Sequence, residues 1–373
     1  MHTSVKKAAV LPFAALVPLL VAWAISSAAD LPKQPDSGPL AAKAVSDALG
    51  AVLRADVPTA LTVLKSAPVD QFNGKDTRFR TCMIERHERK TPPLVGTPKD
   101  PLARQVLAAY QQYWWQATRD PATRPAGEKQ LKAKLAGLIG EKPPADGEDA
   151  FEKLTDRLSA ALEKRGMHAL QGRTPPLYDL FLWARQDEKD YSVDLPGGAK
   201  QPVRVFLMDD WISRGWSRYT ACETGGAAGW TKPEGLYAVK SAYGDLTGED
   251  FQASFLGHEA QHFADLKRWP QMQPWVLEYR AKLTELYKSD QTHMALLDKF
   301  YRSRDDEPDH PHPYANKRVI ADIIAKLGLP ADSDLHKADP LAVRKAAGEV
   351  LIEDTRKREA ETPAAVEAVK PKS

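Results

Sequence analysis

The chain carries 29 prolines, and these limit its architecture more than any other feature. Proline fixes its own φ and has no N–H to give, so a cluster of prolines ends a helix or strand. Such clusters at 91–101, 142–146 and 306–313 cut the 373 residues into many short elements. That length suits one large domain or two ordinary ones, with no long uninterrupted rod.

Between the clusters, the apolar spacing predicts helices over 41–53, 102–118 and 151–162, and a helical pattern from Asp30 to about Arg185. Trp114 and Trp115 are expected in the core there, and His87, in the run Glu85 to Lys90, on a solvated face. The texture changes near Asp190. Residues 191–195 alternate, Pro196-Gly197-Gly198 makes a turn, and 203–208 is strand-like, which predicts a hairpin. Residues 235–243 read as a further strand. The glycines at 225, 226 and 229 do not form a phosphate loop, because no Gly-Lys-Ser/Thr ending follows. A helix is expected from a capping-box-like start at 247–250 to about Arg268, before Pro270. More helices are expected at 277–287 and 318–327. The expected division is an N-terminal helical region (30–188), a second module (189–345) and a charged tail (346–373), with disorder from about Arg356.

Lys6 and Lys7, the uncharged stretch 8–25 and the small residues Ser26 to Ala29 read as an export signal over residues 1–29. Exported here means periplasmic or secreted. The alternative is an uncleaved membrane anchor, since 18 uncharged residues just reach spanning length. The chain would meet a membrane only in that case. Cys82 and Cys222, the two cysteines, are expected to pair in an oxidising compartment, at about 4–5 kcal/mol in the chain-entropy model. The alternative is two buried thiols. A net charge of +2, from 52 basic and 50 acidic side chains, leaves no nucleic-acid footprint.

The chemistry concentrates at His258-Glu259-Ala260-Gln261-His262. Four residues apart on a helix, His258 and His262 share one face and can hold one zinc ion. Glu259, one position on, is rotated away from the pair and can take a proton from water beside the metal. The competing reading is two surface histidines on a charged helix. Phe255, Leu256, Phe263 and Leu266 argue that the helix is largely buried.

This motif resembles that of the zincin metallopeptidases, over about residues 190–287. The metzincin continuation is absent, because Asp265 and Arg268 stand where Gly and His would be. Glu278-Tyr279-Arg280-Ala281 is similar to the Glu-x-x-Ala of the gluzincin branch, which implies Glu278 as third ligand. The resemblance also implies an upstream edge strand that takes extended peptide, where 235–243 lies. The implied fold is α+β, a zincin-like module of a small sheet and an active-site helix beside an N-terminal helical region.

Asp265 and Glu285 compete with Glu278 for the metal. Asp265 must reach back along its own helix, so a supporting role or a helix salt bridge fits it better. The small Ala281 after Glu278 leaves room for a close approach, whereas Lys288 after Glu285 would hinder one. His310, His312 and Tyr314 are candidate oxyanion donors, or else part of a Pro-rich surface turn. His293 is a weaker candidate, and His168 and His336 are expected to have no catalytic role. Arg280 is expected to pair with Glu259 or Asp265, or to lie on the helix surface. The expected activity is zinc-dependent hydrolysis of a peptide or protein substrate with Glu259 as general base. The rivals are a binding protein without turnover and a zinc hydrolase of a non-peptide bond such as a cell-wall amide.

Overall fold

The computed structural model describes residues 36–145, 147–226 and 228–361. The export segment therefore lies outside the described residues. Among the described residues six helices come first: α1 (Pro39–Leu53), α2 (Val57–Ser66), α3 (Gly74–His87), α4 (Pro101–Arg119), α5 (Arg124–Leu138) and α6 (Glu148–Glu163). Proline occupies the first turn of α1, α2, α4 and α5, where its missing N–H costs nothing. Asp56 and Asp100 cap α2 and α4 by accepting from the backbone N–H of Thr59 and Ala103.

Next come β1 (His168–Thr174), β2 (Leu177–Asp194), β3 (Lys200–Arg214), the short α7 (Gly215–Thr220), β4 (Gly229–Lys232) and β5 (Gly235–Val239). They form one curled five-stranded sheet in the order β1-β2-β3-β5-β4. Only the β3–β5 pair is parallel. The expected β2–β3 hairpin forms, with its turn at 196–198, but its strands are far longer than the pattern suggests. The helical reading up to Arg185 is corrected by β1 and the start of β2. Residues 177–183, apolar but for the buried Asp179, do not alternate because both faces are covered. Leu180 and Leu182 pack on α4 and α6, while Phe181 and Trp183 pack in an aromatic cluster on the other face. Trp114 and Trp115 are core residues, as expected, and the Trp114 indole N–H donates to Tyr178 O at 2.8 Å, fixing α4 on β2.

The remaining elements are α8 (Glu249–Phe251), a π-helical segment (Gln252–Gly257), α9 (His258–Arg268), α10 (Pro274–Lys288), α11 (His293–Arg302), α12 (Pro311–Lys326) and α13 (Pro340–Glu361). No capping box opens α8, because the Thr247 hydroxyl donates to Asp245 instead. The charged tail is corrected through Glu361. There α13 buries Ala346, Ala347, Val350 and Leu351 in the cluster shared with α10 and α12. Residues 362–373 lie outside the described residues.

His87 is also corrected: it is buried, and its Nε2–H donates to Thr220 O at 2.9 Å. The same junction holds the expected disulfide. Cys82 on α3 bonds to Cys222 after α7, with Cα atoms 6.1 Å apart across 140 positions. The bond ties α1–α3 to the sheet and suits an oxidising compartment. Among the described residues no helix is long and apolar enough to cross a membrane. The molecule is thus α+β.

Candidate metal centre

The π-helical segment aims the motif. The face that packs on the sheet runs Phe251, Phe255, Ala260, a spacing of four and then five. A regular helix would continue from Phe255 at four-residue spacing through Glu259. The wider turn instead puts Ala260 against Val205, Leu207, Leu236 and Ala238, leaving His258 and His262 turned toward α10. Gly257 lets α10 cross closely, since a Cβ there would meet the Lys288 stem at 2.7 Å. The obstruction expected from Lys288 therefore does not arise. Its ammonium reaches away to Asp194 O at 3.1 Å.

His258 Nε2 lies 3.1 Å from His262 Nε2. Glu278 on α10 completes a triangle, with Oε1 3.4 Å from His262 Nε2 and Oε2 3.7 Å from His258 Nε2. These three residues form a group able to hold a metal ion. Ligands about 2.0–2.1 Å from a tetrahedral ion stand roughly 3.3 Å apart. The separations, taken to one or the other Glu278 oxygen, lie near that spacing, so the three residues stand close enough together to hold a small divalent cation.

Glu285, one heptad after Glu278, is fully buried on the far side of His258, with Oε2 3.3 Å from Nδ1. A carboxylate there makes Nδ1 the protonated nitrogen and leaves the Nε2 lone pair for a metal. Burial pushes the Glu285 carboxyl up, but His258, Lys299 and Lys282 outweigh it and hold it down at about 2. Burial likewise opposes ionisation of Glu278, yet His262, His312 and His258 keep it well below the usual carboxylate range. Burial lowers His262, and the hydrogen bond to Glu278 together with the charges of Glu259, Glu278 and Asp265 more than reverses that. Lys282 is almost wholly buried 3.8 Å from Glu278, its ammonium pushed down by burial against the pull of Glu278 and Glu285. Excess negative charge with one buried cation suits a site that receives a second, divalent one.

Glu259, beside Ala260, reaches the outer edge of the sheet, where the Thr231 hydroxyl on the terminal strand β4 donates to its Oε2 at 2.7 Å. This corrects the position of the edge strand. The sheet ends on β4, while β5, the strand expected from 235–243, is interior and gives way to a 3-10 turn at Lys240–Ala242.

Asp265 stands outside the His258–His262–Glu278 group. It is buried in a two-pronged ion pair with Arg280, at 2.8 and 2.9 Å, and also accepts from Gln261. Arg280 further binds Asp354 and Thr355 on α13, so this cluster joins α9, α10 and α13. Of the three candidates beyond α10, only His312 meets the site. It stands in the first turn of α12 with Nδ1 2.8 Å from Glu278 Oε2 and is 66% exposed. His310 pairs with Asp305, and Tyr314 packs edge-on against Trp275. His293 is buried with neither ring nitrogen partnered, His168 stacks on Trp183, and His336 bonds Asp334 and Asp298. Sequence reasoning placed Glu285 as a rival of Glu278; the seven-residue spacing also allows the complementary role it takes. Thr231 had no signal of its own.

No protein-family model matches the chain, and comparison with curated proteins and with solved structures finds no match either.

Proposed function

We propose that this chain is a zinc metallopeptidase of gluzincin type, acting outside the cytoplasm on peptide bonds. The observation that carries the reading is the His258–His262–Glu278 triangle with Glu259 beside it on the same helix. A zinc ion held by those three residues supplies Lewis acidity toward water and toward a carbonyl oxygen.

The chain's own groups do the rest. Glu259 Oε2 takes the proton of the attacking water, while the Thr231 hydroxyl holds the carboxylate in place. Glu285 holds the His258 ring, and Lys282 offsets the buried carboxylates. His312 is exposed beside Glu278, where its ring can donate to the oxyanion that develops as the amide carbonyl is attacked. A general base is of use only where turnover occurs, which favours an enzyme over a binding protein. The open edge of β4 beside Glu259 favours an extended peptide, because a sheet edge pairs with backbone amides.

The test is a peptide-library cleavage assay on the purified chain, with and without chelator. Cleavage that chelator stops and added zinc restores supports the reading. Absence of cleavage by the zinc-loaded chain contradicts it.

A further inference from the structure

The edge strand β4 turns successive residues to opposite faces of the sheet, and each face carries a cavity beside it. Gly229 and Thr231 face α9: a Cβ on Gly229 would overlap the Phe255 ring at 2.4 Å, and Thr231 holds Glu259. Trp230 faces the opposite way, with its ring 4.9 Å from Phe181 and stacked parallel on Tyr237. Lys232 follows with the same parity and lines the cavity on Trp230's side.

On the α9 side, Thr231 and Pro233 face Phe263, Leu266 and Lys267 across a cavity of about 440 Å³ with mostly apolar walls. Glu259, Phe263 and Leu266 stand four and then three residues apart, so this cavity continues the helix face that carries the general base. On the other side, Trp230, Phe181 and Leu170 wall a second, mostly apolar cavity of about 320 Å³. Lys232 lines both.

We infer that the site selects peptides with two consecutive apolar residues, one seated in each cavity. This rests on the peptidase reading above. A peptide paired with the open edge of β4 has the strand's own period of two, so neighbouring side chains fall on opposite faces of the sheet. One enters the cavity of Phe263 and Leu266, and the next enters that of Trp230 and Phe181. Residues separated by one position fall on the same face and cannot fill both. Lys232 and Lys267 at the rims favour an acidic flanking residue and disfavour a basic one.

The test uses fluorescein-labelled octapeptides and the full chain carrying Glu259→Gln, with binding followed by anisotropy. Cleavage of the same peptides by the unaltered, zinc-loaded chain is followed in parallel. An adjacent Leu-Phe pair should bind about tenfold or more tighter than Leu-Ser-Phe, Leu-Ser or Ser-Phe. Leu266→Arg, at an exposed position, should erase the preference at one of the two positions and spare the other. Lys232→Glu should reverse the flanking-charge preference. Chelator-sensitive cleavage with equal binding of adjacent and spaced pairs would overturn this inference alone. No binding and no cleavage of any peptide would overturn the peptidase reading, and this inference with it.

Discussion

Glu285 Oε2 stands 3.3 Å from His258 Nδ1, on the opposite side of the imidazole from Glu278. The two glutamates expected to compete for the metal thus divide the work, one beside Nε2 and the other behind Nδ1. Glu285→Gln should therefore weaken metal binding by roughly 10–100-fold without abolishing it. Glu278→Ala, which removes a donor, should abolish stoichiometric binding. Competition titration against a chromogenic chelator measures both. Equal affinity in Glu285→Gln and the unaltered chain would remove Glu285 from the site.

The Asp265–Arg280 pair is buried on both sides. Arg280→Met leaves the Asp265 carboxylate buried without its main cation, which costs about 3–5 kcal/mol. Urea unfolding at neutral pH reads this directly, as a lower midpoint. A loss below about 1 kcal/mol would mean that Asp265 finds water or another partner.

His87 makes stability depend on pH. Burial, with smaller contributions from Arg86 and Arg119, lowers its pKa from 6.5 to about 4 against the hydrogen bond to Thr220. The folded state therefore resists protonation. Its stability is intact above pH 6.5 and falls as pH drops toward 4, where the unfolded chain binds the extra proton. The full shift corresponds to about 3 kcal/mol. His87→Gln should flatten the pH 6.5 to 4 limb of a stability profile. An unchanged limb would place the acid sensitivity elsewhere.

Reduction of Cys82–Cys222 should lower stability by about 4–5 kcal/mol if the bond acts by closing a long loop in the unfolded chain. Comparing urea midpoints with and without reductant tests it. Identical midpoints would show that the α3 junction holds through packing and the His87 hydrogen bond alone.

The parts of this molecule that were legible in the sequence are those with local causes. The four-residue spacing of His258 and His262 puts both imidazoles on one face, and apolar spacing found α4 and most of α10, which starts three residues before the expected 277. Turn chemistry at Gly197-Gly198 found the hairpin. Non-local causes stayed hidden. The π-helical segment before His258 exists because the sheet must meet Ala260 while the histidines meet α10, and no local propensity encodes that. Residues 177–183 lose their alternation because both faces are covered. The charged α13 is helical because Arg280 and the α10–α12 cluster receive it. His87 sits in a charged run yet is buried, because Thr220 arrives from another element 133 positions away.

The central claim is that His258, His262 and Glu278 hold zinc while Glu259 moves the proton. The most direct measurement is zinc content and kcat on one cleaved peptide, in the same preparation, for the unaltered chain and Glu259→Gln. The account predicts one zinc per chain in both and a kcat lower by about 10²–10⁴ in the variant. Near-full kcat in zinc-loaded Glu259→Gln, or an unaltered chain that binds no zinc, would contradict it.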